Sequence, residues 1–302
     1  MTHHYLVADH LFDIEAAPEQ LACLTNYEPF CLSTLNSKLS IPSDRALGQR
    51  TLFSIRVTGS EMPSTEGWEH LYTDKSDEDM PRIEMYSRPG QWLFRVSVYR
   101  DSEIVSSMIC SEDWSDVQLS MQSNYTRFAI DNAAMLVYAF ATAGLGTLLF
   151  HSSVILRQGQ GCLFLGHSGT GKSTHSRQWL EAFNDAELIN DDNPVVRILS
   201  DGSVRVYGSP WSGKTPCYRN ISAPVAALVQ LAQAPHNEIK LLRMSQAYPY
   251  ILASVSGLKV MPEMMDRLYE SIAQLLEKKP VYKLECLPNT DAARLCAQTC
   301  LP

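Results

Sequence analysis

Short runs of alternating hydrophobic and polar residues dominate the chain from Tyr5 to about Ser123. Successive residues of a pleated strand point to opposite faces, which gives this period of two, and polar breaks with Pro and Gly separate the runs. The pattern predicts a β-rich, antiparallel N-terminal half. Its predicted strands are residues 51–57, 82–86, 92–99, 105–110 and 116–121.

The pattern changes between Thr126 and Ala141, where apolar residues recur at helical spacing and turn formers are few. This predicts a largely buried helix that joins the two halves. Beyond it, strands and helices alternate around a glycine-rich loop, which is typical of an α/β fold. Strands are predicted at residues 147–156, 162–165, 187–189, 204–207 and 225–231, and helices at 173–182, 244–253 and 264–276.

Two domains are therefore predicted, a β-rich domain over residues 1–124 and an α/β domain over residues 125–302. The expected fold class is α/β in the second domain and α+β overall. With 302 residues, of which 45 % are hydrophobic, the chain is long enough to bury a core in each domain.

Composition limits the kinds of partner. The formal net charge of −8 at pH 7 argues against a broad basic surface for nucleic acid or an anionic membrane. The eight cysteines include no CxxC pair, as expected for reduced thiols in a cytosolic chain. We therefore expect a cytoplasmic protein that has neither nucleic acid nor a membrane as a partner.

Two segments test that expectation. Residues 1–10 carry polar histidines where a secretory signal has a basic region and an apolar core, so export is not expected. Residues 132–156 contain no Asp, Glu, Lys or Arg and in this respect imitate a membrane span. Because Gly144 and Gly146 interrupt the segment, a buried helix followed by a buried strand is the better interpretation.

The clearest chemical signal is the sequence from Gly166 to Ser173, which fits G-x-x-x-x-G-K-[ST] between a predicted strand and a predicted helix. Glycines let consecutive backbone N–H groups turn inward around phosphate oxygens. Lys172 would lie against the β- and γ-phosphates of ATP, and the Ser173 hydroxyl would coordinate Mg²⁺. The alternative is a glycine-rich turn with an incidental lysine. The candidate nucleotide-binding residues are Gly166, Ser168, Gly169, Thr170, Gly171, Lys172, Ser173 and Thr174.

An aspartate pair, Asp191 and Asp192, follows the next predicted strand. Enzymes with such a loop hold magnesium through a carboxylate at the end of a neighbouring strand. The second carboxylate can accept a proton from an attacking hydroxyl. A solvated Asx-rich turn is the alternative interpretation.

The order of His151, the loop and the aspartate pair resembles the catalytic domain of the HPr kinase/phosphorylase family. In that family a histidine opens the strand before the loop, as in residues 150–154 (FHSSV) here, and the strand after the loop helix ends in an aspartate pair, as in residues 188–192 (LINDD). The resemblance covers residues 145–235. It implies a P-loop phosphoenolpyruvate-carboxykinase-like catalytic domain and an oligomeric enzyme.

The resemblance also implies roles for single residues. Asp192 would accept the proton of the substrate hydroxyl, Asp191 would lie near the metal, and His151 would lie beside the phosphates and the catalytic carboxylate. Taken alone, His151 in an apolar strand would more often be a core residue.

A turn at residues 208–214 offers Lys214 as a further phosphate contact, with an ordinary surface turn as the alternative.

These features together predict a kinase that uses ATP and Mg²⁺ to phosphorylate a hydroxyl group of a protein, a peptide or a small metabolite, with Lys172, Asp192 and His151 as its catalytic residues. Two alternatives remain. One is a nucleotide-binding sensor or scaffold without turnover. The other is a carboxykinase-like enzyme, which would need an arginine clamp for carboxylates.

Overall fold

The computed structural model describes residues 1–34, 50–74, 81–99, 102–213, 215–257 and 261–301. Within these residues the fold is mixed α+β, with two large mixed sheets. The chain forms two compact units, Met1–Ala141 and Thr142–Pro302. Because a compact unit need not fold independently, the predicted domain boundary between residues 124 and 125 stays a prediction.

The first unit contains one large sheet. Its strands are β1 (Thr2–Val7), β2 (His10–Glu15), β3 (Phe53–Gly59), β4 (Glu69–Thr73), β5 (Arg82–Arg88), β6 (Gln91–Ser97), β7 (Ile104–Ser111) and β8 (Asp116–Met121). Their order across the sheet is β1-β2-β3-β8-β7-β6-β5-β4. The five predicted strands are confirmed to within a few residues at their ends.

The prediction of a purely antiparallel sheet is wrong. Strand β3 pairs in parallel with β2 and with β8, whereas β5 to β8 form antiparallel neighbours. Alternation of polar and apolar residues reports which face of a strand is buried and carries no information on strand direction. The sequence pattern therefore could not distinguish the two kinds of pairing.

The helices that begin in the first unit include α1 (Pro18–Ala22), α2 (Thr126–Thr142) and the short 3₁₀ helices Thr25–Phe30 and Ser123–Tyr125. The prediction of a buried helix at residues 126–141 is confirmed by α2. Its Tyr138 hydroxyl donates to the carbonyl of Val7 at 3.0 Å, and its Phe140 ring stacks 5.8 Å from the ring of Phe94.

The second unit supplies the candidate site. Its strands are β9 (Thr147–Leu149), β10 (Ser152–Arg157), β11 (Gln160–Leu165), β12 (Glu187–Asn190), β13 (Val195–Ile198), β14 (Val204–Tyr207), β15 (Ser222–Gln233), β16 (Glu238–Leu241) and β17 (Val281–Cys286). Its helices are α3 (Lys172–Ala182), α4 (Met244–Ser254), α5 (Pro262–Lys278) and α6 (Thr290–Cys300).

Strand β11 lies inside this sheet, antiparallel to β10 on one side and parallel to β15 on the other. The order is β12-β10-β11-β15-β14-β13-β9, and β17 joins β15 and β16. Helices α3 and α6 cover β11: Cys162 and Phe164 of the strand pack with Trp179 of α3 and Cys296 of α6. The strand and helix on either side of the glycine-rich loop therefore share one buried cluster.

The continuous strand predicted at residues 147–156 is instead two strands. The chain turns at Phe150 and His151, where β9 pairs with β13 and β10 pairs with β11 and β12. The amide of Phe150 donates to Pro194 at 3.0 Å, and the amide of His151 donates to Ser254 at 2.7 Å. An uninterrupted apolar run cannot reveal such a change of partners.

No helix among the described residues is both long and apolar enough to cross a membrane.

Candidate functional site

The glycine-rich loop leaves the end of β11 and enters α3 through a left-handed residue. Gly171 has φ = 108° and is the N-cap of α3. Gly166 has φ = 153°, and a Cβ atom there would lie 2.9 Å from Cβ of Thr170. Both positions therefore require glycine, which lets the loop fold tightly at the helix N-terminus, where backbone N–H groups attract anions.

Lys172 folds back into this loop. Its Nζ donates to the carbonyl of Gly166 at 2.7 Å and lies 3.0 Å from Nε2 of His151. Burial lowers the pKa of Lys172, and the carboxylates of Asp192 and Asp191 partly oppose that shift. The Lys172 side chain is thus held in place by the loop backbone and by His151.

His151 connects Lys172 with Asp192. A lysine ammonium can only donate, so Nε2 of His151 accepts and the ring proton lies on Nδ1. Nδ1 then donates to Oδ1 of Asp192 across 3.1 Å. The His151 side chain is 43 % exposed, so the alternative interpretation as a core histidine is wrong.

The second aspartate faces a different partner. The Ser173 hydroxyl donates to Oδ2 of Asp191 at 3.3 Å, and Asp191 is buried whereas Ser173 is exposed. A hydroxyl and a carboxylate are oxygen ligands of the kind that Mg²⁺ takes in proteins. These two side chains therefore fit a magnesium ion by their chemistry.

The geometry of the aspartate pair depends on Asn190, whose role was not predicted. Its side-chain oxygen accepts the amides of Asp192 and Asn193, both at 2.8 Å. Its side-chain nitrogen donates to Ser209 Oγ and to the carbonyl of Trp211, both at 3.1 Å. A buried Asn before an acidic turn is the signal that could have identified this role.

The turn at residues 208–213 packs directly against the aspartate pair. A Cβ atom on Gly213 would lie 3.1 Å from Cβ of Asp192, and one on Gly208 would lie 2.0 Å from the carbonyl of Arg219. The turn therefore forms one wall of the site. Lys214, the predicted phosphate contact, lies outside the described residues.

The remaining predicted residues occupy the loop and the first helical turn. Ser168 is exposed in the loop, Gly169 has φ = 79°, and Thr170 closes the loop by donating its hydroxyl to the carbonyl of His167 at 2.7 Å. Thr174 lies within the first turn of α3 and is half-buried. The structure thus brings together every described candidate residue within one loop, one helix start and the two strand ends beside them.

Two buried polar residues of α3, His175 and Ser176, form hydrogen bonds that were not predicted. Trp179 donates its indole N–H to Nε2 of His175 at 3.1 Å, and burial lowers the pKa of His175 to about 4. His175 is therefore neutral at pH 7, with its proton on Nδ1. Ser176 shares a hydrogen bond with Ser153 of β10 at 2.6 Å, which ties α3 to the sheet.

The model of the family described as SynChlorMet cassette protein ScmC matches residues 114–288, which is more than half of the chain. No curated protein matches the chain.

This match corrects the family expectation from the sequence. The expected HPr kinase/phosphorylase family is wrong, since the family model that matches is a different one. The motifs behind that expectation were a loop, a histidine and an aspartate pair, which describe a local arrangement and not a lineage. The sequence also lacks the Glu-Ile-Arg-Gly segment of that family. The chain belongs to the ScmC family.

Proposed function

We propose that this protein is a phosphotransferase that moves the γ-phosphoryl group of ATP to a hydroxyl group, with Mg²⁺ as its metal. The observation that carries the proposal is the chain of contacts from Lys172 through His151 to Asp192, at 3.0 and 3.1 Å, beside a loop shaped for phosphate. A cation for the phosphoryl group and a carboxylate for the acceptor proton lie on either side of one imidazole.

In the proposed reaction the acceptor oxygen forms a bond to the γ-phosphorus, and the bond from that phosphorus to the β–γ bridging oxygen breaks. The electron pair of the broken bond leaves with ADP. The hydroxyl proton passes to the carboxylate of Asp192, which His151 orients through its Nδ1–H. Lys172 stabilises negative charge on the phosphoryl oxygens.

Magnesium would be held by Ser173 and Asp191, whose oxygens already lie 3.3 Å apart. When bound, Mg²⁺ neutralises charge on the β- and γ-phosphate oxygens. Asp191 and Asp192 therefore have separate roles, although they are adjacent in sequence. The contact of Asp191 with Ser173 and that of Asp192 with His151 support this division.

For the second unit we also propose a carboxykinase-like P-loop fold. Its support is the placement of the loop after β11 and of the aspartate pair after β12, with β10 between the two strands. The acceptor class extends to a hydroxyl of a protein, a peptide or a small metabolite. Cytoplasmic location, the absence of nucleic acid and membrane partners, and a homo-oligomeric state remain parts of the proposal, of which the first is supported by eight free thiols.

The proposal is tested by transfer of radiolabelled γ-phosphate from ATP with Mg²⁺ to hydroxyl amino acids, peptides and a cell extract. Lys172→Ala and Asp192→Asn should each abolish labelling, whereas Arg177→Gln, at an exposed position of α3, should leave it unchanged. Binding of ATP is measured in parallel by calorimetry.

Other results would lead to different conclusions. A protein that binds ATP and labels nothing would be the nucleotide sensor or scaffold. Formation of phosphoenolpyruvate from oxaloacetate and ATP would identify a carboxykinase-like enzyme. Absence of ATP binding would overturn the central proposal.

A further inference from the structure

A cavity of about 530 Å³ opens beside the glycine-rich loop, on the second unit. Its volume falls within the range of pockets that hold small molecules. The side-chain Nε2 of Gln233 donates to the carbonyl of Gly169 at 3.3 Å, so the end of β15 is tied to the loop at the edge of the cavity. The cavity is lined by Gly169, Thr170, Gly171, Thr174, His175, Leu231, Gln233, Ala234, Cys286, Leu287 and Pro288.

The cavity and the aspartate pair lie on different sides of the start of α3. Lys172 and Ser173 contact the side chains of His151 and Asp191, and neither Lys172 nor Ser173 lines the cavity. Thr174 and His175, the next two residues, do line it. Since successive helical residues point about 100° apart, the first turn of α3 divides its side chains between the two sides.

This division gives the bound nucleotide a direction. If the proposed function is correct, the γ-phosphate lies at Lys172, Ser173 and the aspartates, where charge and metal ligands are found. The phosphate chain then follows the loop backbone past Gly171, and its other end reaches Thr174 and the cavity.

We infer that the cavity beside the loop is the nucleoside site, which holds the base and ribose of ATP between the end of β15 and the turn after β17. This inference rests on the proposed function. Beyond the proposed function, it identifies the surface of the protein that recognises the nucleoside. It also identifies the opposite end of the site, at the aspartates, as the place where the acceptor binds.

The chemistry of the cavity suits an uncharged base. Apolar atoms come from Leu231, Ala234, Leu287 and Pro288, which can contact the faces of a purine ring. Among the described lining residues none is Asp, Glu, Lys or Arg, and His175 is neutral because burial lowers its pKa to about 4. The γ-phosphate would meet no positively charged side chain among these residues. We therefore do not place the triphosphate in the cavity and the base at Lys172.

Cys286 offers a probe within the unaltered protein. Cys286 lines the cavity and is partly exposed, whereas Cys23, in the first unit, is exposed and serves as an internal reference. Both are alkylated with N-ethylmaleimide at pH 8, and the two rates are followed by mass spectrometry of peptides. The reaction is run with Mg²⁺ and saturating ATP, and again with Mg²⁺ and saturating tripolyphosphate, which has the phosphates and lacks the nucleoside.

The expected result is that ATP slows alkylation of Cys286 at least fivefold, while tripolyphosphate slows it less than twofold and Cys23 reacts equally in all samples. Equal protection of Cys286 by the two ligands, or no protection by either when both are bound, would overturn the nucleoside site. If calorimetry shows that neither ligand binds, the proposed function itself fails.

A substitution tests the same point independently. Ala234→Trp places an indole in the cavity and should lower the affinity for ATP at least tenfold, down to that of tripolyphosphate, whose own affinity should not change. Ala232→Trp, inside β15 and two residues earlier in the chain, lies outside the lining and is the matched control. Unchanged ATP affinity in the Ala234→Trp protein would contradict the inference.

Discussion

Nδ1 of the His151 imidazole lies 3.1 Å from Oδ1 of Asp192, although 40 residues and the entire glycine-rich loop separate the two in sequence. The contact forms because the chain turns between β9 and β10, which leaves the His151 side chain half exposed at the edge of the sheet. The amide of Ser152 also donates to the carbonyl of Asp192 at 2.9 Å. Backbone and side chain together fix the carboxylate relative to the loop.

Removing the imidazole should therefore slow phosphoryl transfer strongly and should affect ATP binding much less. His151→Ala leaves Asp192 without its donor, and we expect phosphoryl transfer to fall by about a hundredfold, the lower end of what a positioned proton-transfer group contributes. The KM for ATP should change less than threefold. Steady-state kinetics with an identified acceptor measure both quantities.

His151→Asn provides the matched comparison, because its amide nitrogen lies near the position of Nδ1 and can still donate to Asp192. It should retain more activity than His151→Ala. Equal loss in the two variants would show that the hydrogen bond to Asp192 does not carry the effect.

Ser173 should control the magnesium requirement. Ser173→Ala removes the hydroxyl that contacts Asp191, and the Mg²⁺ concentration for half-maximal activity should rise by about tenfold, equivalent to roughly 1.4 kcal/mol of lost binding. A magnesium titration at fixed ATP gives this value. Ser173→Thr keeps the hydroxyl and should behave like the wild type; if it behaves like Ser173→Ala, the hydroxyl is not the ligand.

Asn190 should matter for stability as well as for the site. It is fully buried, and Asn190→Ala leaves the amides of Asp192 and Asn193 without their acceptor. Each buried group left unpaired costs about 1–3 kcal/mol, and because both bonds are only partly buried we expect a loss of about 3 kcal/mol in the free energy of unfolding, in the lower part of the range for two groups. Urea denaturation measures it. Ser200→Ala, at an exposed turn, should change stability by less than about 0.5 kcal/mol.

His175 should make stability depend on pH. Its pKa is about 4 in the folded protein against 6.5 for an ordinary histidine, so the unfolded chain takes up a proton first as pH falls. The stability contribution is complete above pH 6.5 and is lost between pH 6.5 and 4. At pH 5 the expected loss is about 2 kcal/mol.

The control variant is His175→Gln. Its glutamine can still accept a hydrogen bond from the indole N–H of Trp179, but it has no group that titrates in this pH range. Urea denaturation of both proteins at pH 7.5 and pH 5 isolates the histidine. If both proteins lose the same stability between these two pH values, protonation of His175 is not the cause.

Much of the second unit could be predicted because its signals are local. The spacing of glycines around Lys172 requires a particular backbone, and the structure has that loop between β11 and α3. Helices α4 and α5 were predicted to within two residues of their ends, and β14 was predicted at its observed limits. Each of these signals depends on residues close together in the chain.

The rest depended on contacts between distant residues. Asn190 acts through Ser209 and Trp211, and nothing in its own neighbourhood shows that they are near. The parallel pairing of β3 with β8 joins residues about sixty apart, and residue alternation is the same for either direction. The cavity beside the loop combines the ends of β15 and β17, whose pairing no sequence motif reveals.

The packing of α6 over β11 also sets an order of events during synthesis. Cys162 and Phe164 become fully buried only when Ala293 and Cys296 have been made, because these residues share one cluster. At about 5–20 residues per second, the ribosome needs roughly 10 seconds to travel from one set to the other. During that interval β11, the strand that leads into the loop, lacks the packing contacts that α6 provides. A nascent chain should therefore acquire nucleotide affinity late, when α6 has emerged, and ATP should have little influence on earlier stages of folding.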